Sequence, residues 1–262
     1  MANSVAVVTG GASGLGEASA KRLAADGYDI ALLDVNDSGG GRVQSEITSE
    51  GGKAHYYHVD VSDAAALEET AAAVARDLGT VEALVTSAGL TPNSEAILEM
   101  DMAAHELMWK VNYFGTIHAC QSFGRVMASQ KRGAIVTLGS IHSRLPMPLP
   151  AYNPGKAAIE RLTQLLAVEL GRFGVRVNSV GPTHVMTPPL MAAIEAGERD
   201  MTKIMEVHAL DYLPSTEDVA EAIAFLCSDQ AKAITGVLLP IDSGALAGIS
   251  YKTYAGGVPW KQ

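Results

Sequence analysis

The sequence predicts an α/β protein: one domain built on a doubly wound parallel sheet with helices on both faces. Three observations predict it. Short β-branched runs alternate with longer Ala/Leu-rich segments. The strand runs are continuously apolar rather than alternating, the pattern of strands covered on both faces. Helical segments separate them, so right-handed crossovers return each strand parallel to the last. The 262 residues suit one large α/β domain, and no linker, low-complexity segment or solenoid-period repeat divides them.

The elements follow in order. Val5-Ala6-Val7-Val8 reads as a buried strand, and 13–26 as a helix stopped by Gly27. Residues 30–33 form the second strand, and 39–50 a weaker helix before Gly51-Gly52. A third strand covers 54–59. An Ala-rich helix covers 63–78 and ends at Gly79. Residues 83–85 are the fourth strand, and a long helix covers about 102–130. The fifth strand is 134–138, the next helix 151–170, and the sixth strand 175–180. Residues 216–227 are helical and 237–241 form the last strand. The stretch 183–215 breaks the rhythm and carries Pro188, Pro189 and Pro214, so it reads as an inserted loop with one or two short helices that covers a site. The domain is therefore 1–250 with this substrate loop built in, followed by a tail, 251–262. Tyr251, Tyr254, Val258 and Trp260 make that tail too apolar for a solvated end. It is expected to be ordered over a substrate site, its own or a neighbour's.

Composition narrows the function. Nineteen Lys+Arg against 29 Asp+Glu give a net charge of −10, which argues against nucleic acid as a partner, since tracking phosphates needs a basic face. No apolar run reaches the ~18 residues of a membrane helix, and no basic leader precedes the first strand. The two cysteines, Cys120 and Cys227, are far apart and outside any CxxC spacing. They read as small buried hydrophobes in a reducing, cytoplasmic setting. His105-Glu106 begins an HExxH pattern that fails because position 109 is Trp, so no metal site is expected. Met100, Met102 and Met108 read as core filling.

Thr9-Gly10-Gly11-Ala12-Ser13-Gly14-Leu15-Gly16 joins the first strand to the first helix. Glycines at 10, 14 and 16 allow a sharp turn and close approach to a pyrophosphate at the helix N-terminus. Asp34 ends the second strand 18 residues past Gly16, where a carboxylate can bind adenosine ribose hydroxyls. This gives a Rossmann-type cofactor end. Asp60-Val61 closes the third strand at the same edge, with Asp60 open to either a cofactor or a helix-capping role. Ala88-Gly89 ends the fourth strand with residues small enough to let a cofactor pass.

Tyr152 and Lys156 stand four apart at a helix start, on one face, with Ser140 twelve residues earlier, just past the fifth strand. A phenol brought from about 10 to about 8 can act as a base near neutral pH, at a cost of ~3 kcal/mol. One cation at ~5 Å supplies ~3 kcal/mol at an effective dielectric of ~20, so Lys156 is matched to the task.

On these residues the sequence resembles the short-chain dehydrogenase/reductase family over about residues 4–244. Thr9-Gly10-x-x-x-Gly14-x-Gly16 matches its cofactor motif and Tyr152-x-x-x-Lys156 its catalytic one. Asn112, within Lys110-Val111-Asn112, and Ser140 complete its Asn-Ser-Tyr-Lys set. Val180-Gly181-Pro182 with Val185 and Thr187 resembles its nicotinamide segment, and Ile234-Thr235-Gly236 with Asp242-Ser243-Gly244 its ending. Three features depart. Thr86-Ser87-Ala88-Gly89 replaces Asn-Asn-Ala-Gly, Thr183 stands at a glycine position, and the shorter loop before Tyr152 leaves Ser143 a rival to Ser140.

The resemblance implies hydride exchange between a nicotinamide and a CH–OH carbon. Tyr152 serves as acid/base, Lys156 as its electrostatic partner, Ser140 holds the substrate oxygen and Asn112 a relay water. Ser13 and Leu15 complete the cofactor contacts. NAD is expected over NADP because Asp34 opposes a 2′-phosphate and the loop carries no basic residue, Arg42 being expected to point to solvent. The substrate is expected to be a small polar or sugar-like secondary alcohol. Ser140, Tyr152, His142, Arg144 and His184 are its candidate contacts, with Thr91, Asn93, Ser94 and Met186 on the same loops. Two alternatives stay open: reduction of 3-oxoacyl thioesters, and a dinucleotide-sensing protein without catalysis. The resemblance also implies a homotetramer paired through 102–130 and 151–170, with Ala119, Phe123, Ala158 and Leu165 at the contacts.

Overall fold

The computed structural model describes residues 4–91 and 94–260. Seven parallel strands stand in the order β3-β2-β1-β4-β5-β6-β7: β1 Val5–Thr9, β2 Asp29–Asp34, β3 Ala54–His58, β4 Val81–Thr86, β5 Gly133–Leu138, β6 Val175–Pro182 and β7 Leu238–Ile241. The order reverses between β1 and β4. Carboxyl ends of neighbouring strands diverge there and leave the crevice that binds ligands in such sheets. Register carries named residues to that edge, since Thr9 pairs with both Leu33 and Thr86.

Alternating residues of each strand face opposite layers. Val5, Val7, Leu84 and Ile135 pack with Leu67, Phe123 and Met127 beneath α3 (Ala64–Asp77) and α5 (Gly115–Gln130). Ala6, Val8, Ile30 and Leu32 pack with Leu23, Val219 and Ile223 beneath α1 (Gly14–Ala25) and α9 (Thr216–Cys227). Local chemistry sets the ends. Gly27, at φ 92°, stops α1. Asn36 caps α2 (Asp37–Ser49), and Asp63 caps α3 through Ala65 and Ala66 N–H. Ser215 and Asp218 form a reciprocal capping box on α9.

The long helix expected over 102–130 is three pieces: α4 (Met102–Trp109), a π-helical turn at Lys110–Phe114, and α5. Such turns shift the helical register, and here the shift accompanies a buried Asn112. Met102 is exposed rather than core. Ala119 and Phe123 lie in the sheet-facing core, so they are unavailable for contacts between subunits. Leu165 and Val168 on α6 (Tyr152–Gly171) are 62% and 84% exposed.

The inserted stretch holds α7 (Pro188–Glu195) and α8 (Met201–Glu206). The last helix, α10, covers Ala245–Lys252. Lys252 donates to the His208 carbonyl at the end of the insertion. Beyond α10, Trp260 stacks back on Tyr251 at 5.5 Å with both rings about half exposed. No helix among the described residues is long and apolar enough to cross a membrane.

Candidate active site

The glycine loop is shaped by contacts no side chain would survive. A Cβ on Gly10 would stand 2.6 Å from Ala88 N, and one on Gly16 would stand 2.0 Å from the Gly10 carbonyl. Gly14 has φ 55° and open space above it. Ser13 occupies the N-cap of α1 without a side-chain capping bond. The first amides of a twelve-residue helix therefore lack a protein cap where an anion would lie. Leu15 is half-buried beside them and Gly16 buried. These features fit a dinucleotide pyrophosphate.

Asp34 is drawn against the loop: Oδ2 accepts Ala12 N–H and Oδ1 accepts Asn36 N–H, both at 3.0 Å. Each carboxylate oxygen keeps lone-pair capacity for a ribose hydroxyl. Arg42 is exposed, as expected, but it is not free. It folds over the loop, donating to the Ala12 carbonyl and pairing with Glu17 and Glu46. Its guanidinium, with Lys21, holds the Glu17 carboxyl down at about 2. Asp60 is not the cap of α3, a role Asp63 fills. Its Oδ1 accepts Ser62 N–H at 2.8 Å, leaving the carboxylate exposed at the sheet edge. Val61 is packed against Gly115. Ala88 N–H donates to the Thr9 hydroxyl, which braces the β4 loop. Thr86, the residue in the asparagine position, leaves its buried hydroxyl unpartnered.

Asn112 projects from the π-helical turn. Its Oδ1 accepts Leu90 N–H at 2.7 Å and its Nδ2 donates to the Leu90 carbonyl at 3.1 Å. The amide therefore clamps the loop after β4, with Gly89 close against it, and keeps one proton and one lone pair for another partner. A void of about 10 Å³ lies between Trp109, Asn112, Tyr152 and Lys156, the size of a single water.

Lys156 is buried. Its Nζ donates to the Leu138 carbonyl at 2.5 Å and stands 5.3 Å from the Tyr152 ring centre. Burial depresses the ammonium to about 8. Burial also pushes the Tyr152 phenol up, against a hydrogen bond from Ser140 that favours the phenolate. Within the protein alone, burial outweighs that hydrogen bond and the phenol stays above its ordinary value. Ser140 Oγ accepts His142 N–H at 3.2 Å. The rival Ser143 donates to Glu160 instead, whereas Ser140 is hydrogen-bonded to Tyr152.

Pro182 ends β6 and its carbonyl lies 3.4 Å from Ser140 Oγ. Val185 is buried in the α1/α9 layer and Thr187 stands at the N-cap position of α7 without a side-chain capping bond. Of the substrate candidates, His142 stands 6.1 Å from Tyr152 and 6.2 Å from His184 between ring centres. Arg144 is held by Glu160 through two hydrogen bonds of 3.0 and 2.7 Å. Asn93 lies outside the described residues. Sequence reasoning missed two residues here. Trp109 Nε1 donates to the Ala151 carbonyl at 3.0 Å, fixing the residue before Tyr152. His208, 2% exposed, bridges Thr183 and the Ile204 carbonyl. Neither has a local motif, because each acts across 25 residues or more or through the backbone. Among the described residues no group of His, Cys, Asp or Glu is placed to hold a metal. Both cysteines are buried, their thiols pushed up to about 12.

The histidines make a stability prediction. Burial, and secondarily His184, depress His142 to about 4, and burial depresses His184 as well. Between their ordinary value near 6.5 and that depressed range the unfolded chain binds more protons. Stability present above about 6.5 is therefore lost as pH falls. Urea unfolding should show a loss of up to ~3 kcal/mol from His142 between pH 7 and 4, and His142→Asn should reduce that loss. An unchanged acid profile in the variant would remove His142 as its source.

Comparison with known proteins agrees with this geometry. A family model described as Enoyl-(Acyl carrier protein) reductase (adh_short_C2) matches residues 10–245. A Bacillus subtilis 2,3-dihydro-2,3-dihydroxybenzoate dehydrogenase is 34% identical, covering 94% of this chain and 97% of the relative. A galactitol 2-dehydrogenase of Rhizobium johnstonii is 32% identical, covering 91% and 93%. Among solved structures, one described as ribose-5-phosphate isomerase from Brucella melitensis superposes with TM-score 0.91 at 34% identity, covering 99% and 98%. A short-chain type dehydrogenase/reductase from Mycobacterium ulcerans gives TM-score 0.89 at 29% identity, covering 94% and 90%.

Proposed function

Because the chain belongs to the short-chain dehydrogenase/reductase family, we propose that it is an NAD-dependent oxidoreductase that interconverts a small polar or sugar-like secondary alcohol and its carbonyl. The observation that carries this reading is the convergence of Ser140, Tyr152 and Lys156 at the sheet edge that also holds the glycine loop. When bound, the nicotinamide supplies the hydride acceptor. Ser140 holds the carbinol oxygen, and Tyr152 takes its proton as general base. Lys156 stabilises the phenolate, and Asn112 with the small void beside it orients a relay water. Relatives named for galactitol and for 2,3-dihydro-2,3-dihydroxybenzoate, both polyhydroxylated, support the alcohol class. The thioester alternative has the family model's description in its favour, but the net charge of −10 weighs mildly against docking an acidic carrier. A purely sensing role is disfavoured because both Tyr152 and Lys156 are present.

NAD is the proposed cofactor because Asp34 faces the ribose position. A 2′-phosphate there meets a repulsion of ~3 kcal/mol per unit charge at ~5 Å and an effective dielectric of ~20. Arg42 offers little relief, since Glu17 and Glu46 already hold it. Steady-state assays with both cofactors test this. A preference for NAD of at least about tenfold in kcat/KM is expected, and Asp34→Ala should narrow it. Equal or better use of NADP overturns it.

A homotetramer is the proposed assembly, with the exposed Leu165 and Val168 of α6 and Leu107 of α4 at its helix–helix contact. The exposed Tyr251–Trp260 stack is proposed to cover a substrate site, its own or a neighbour's. Sedimentation should show a tetramer at micromolar concentration, and Val168→Asp should shift it to smaller species. A monomeric wild-type protein would contradict the assembly.

A further inference from the structure

Three histidines meet at the substrate side of the catalytic tyrosine, and their bonding separates them. His208 uses both ring nitrogens. Its Nδ1 faces the Ile204 carbonyl at 2.7 Å, which only accepts, so Nδ1 carries the proton and Nε2 accepts from the Thr183 hydroxyl when the ring is neutral. His142 differs, because its Nδ1 is buried with no partner at all. Buried polar atoms are nearly always satisfied, so an orphan beside a reacting centre calls for a ligand group. The His142 ring is edge-on to both Tyr152 and His184, at interplanar angles of 75° and 78°. Its backbone N–H is bonded to Ser140 Oγ, so ring and serine hydroxyl ride on one 3-10 turn, Ile141–Ser143.

Resting on the secondary-alcohol reading above, we propose that His142 and His184 form a hydroxyl-recognition pair that selects a neutral vicinal diol. One carbinol carbon is held at Ser140 and Tyr152. The hydroxyl on the adjacent carbon lodges between the two imidazoles. The two oxygens of a gauche vicinal diol stand about as far apart as hydrogen-bonded partners. A substrate oxygen fixed on Ser140 therefore brings its neighbour towards the ring carried by the same turn. In the reaction the first carbinol carbon gives hydride to the oxidised nicotinamide and its hydroxyl proton to Tyr152. The second hydroxyl is unchanged.

The pair's charge state fits a hydroxyl better than an anion. Burial holds both rings neutral at pH 7. A neutral imidazole offers one donor and one acceptor, as a hydroxyl does, whereas a carboxylate only accepts. The surrounding cations are engaged: Lys156 with the Leu138 carbonyl, Arg144 with Glu160, and the exposed Arg199 with the Glu198 carbonyl.

The test compares three substrates on one ring: cis-cyclohexane-1,2-diol, cyclohexanol and 2-hydroxycyclohexanecarboxylate. They are assayed with NAD on the wild type, His142→Leu and His142→Asn. The wild type should favour the diol over cyclohexanol by at least about tenfold in kcat/KM, or ~1.4 kcal/mol, and over the hydroxy acid as well. His142→Leu should collapse the diol preference, mainly through KM, while His142→Asn, which keeps a donor and an acceptor, should recover part of it. Equal use of diol and cyclohexanol by the wild type overturns the proposal. So does a best rate with the hydroxy acid, which would assign the subsite to Arg199, or an equal loss on all three substrates in His142→Leu. Calorimetry of the diol on the enzyme–NAD complex separates the two readings. Diol binding that weakens at least tenfold in His142→Leu upholds the pair even where no NADH forms, an outcome that would count against the oxidoreductase reading alone. Absent or unchanged diol binding overturns the pair.

Discussion

Replacing Tyr152 by Phe is expected to lower turnover by at least about 100-fold while NADH still binds. The ring that fills the space beside His142 remains, and only the oxygen that exchanges the substrate proton is lost. Ser140 then keeps a substrate oxygen in place with no base to accept its proton. The glycine loop, Asp34 and Lys156 are untouched, so cofactor affinity is the internal control. A variant that keeps more than a tenth of wild-type turnover would mean the acid/base lies elsewhere.

Lys156→Met should cost about as much for a different reason. Methionine approximates the length of the side chain and removes its charge. Burial already raises the Tyr152 phenol, and Lys156 is the cation at 5.3 Å from its ring. At an effective dielectric of ~20 that charge is worth ~3 kcal/mol, or about 100-fold in rate. The two variants separate by pH. Residual activity of Lys156→Met should climb as pH rises, because alkali restores the phenolate that the ammonium no longer favours. Tyr152→Phe has no phenolate to restore, so its activity should stay flat. A flat Lys156→Met profile would leave the lysine a role in holding the Leu138 carbonyl and no part in tuning the phenol.

The sheet was readable because parallel strands buried on both faces write themselves as apolar runs: Val5–Val8 and 30–33 lie inside β1 and β2. The glycine loop was readable because Gly10 and Gly16 sit where a Cβ collides with backbone. Other features carry no local signature. The π-helical turn at Lys110–Phe114 has no compositional mark, and the partner of its Asn112, Leu90, is distant in sequence. Ala119 and Phe123 suit a helix–helix contact and a core equally well, and only the placement of α5 over the sheet decides for the core. The paths of Arg42 and Arg144 depend on carboxylates distant in sequence, Glu17 and Glu160, which makes a long cationic side chain hard to place from its neighbours. The tie of the Lys252 ammonium to the His208 carbonyl, which fastens α10 to the insertion, is likewise a long-range contact.

Hydride transfer from the carbinol carbon to the nicotinamide, with Tyr152 as the acid/base, is the central claim, and isotopic labelling tests it most directly. The enzyme is incubated with NAD and a panel of secondary alcohols and sugar alcohols deuterated at the carbinol carbons, and the nicotinamide product is examined by mass spectrometry. Singly deuterated NADH should form with wild-type protein in step with the carbonyl product, and at least about 100-fold more slowly with Tyr152→Phe. Conversion of any panel member without labelled NADH, or labelled NADH formed as fast by Tyr152→Phe, would contradict the account.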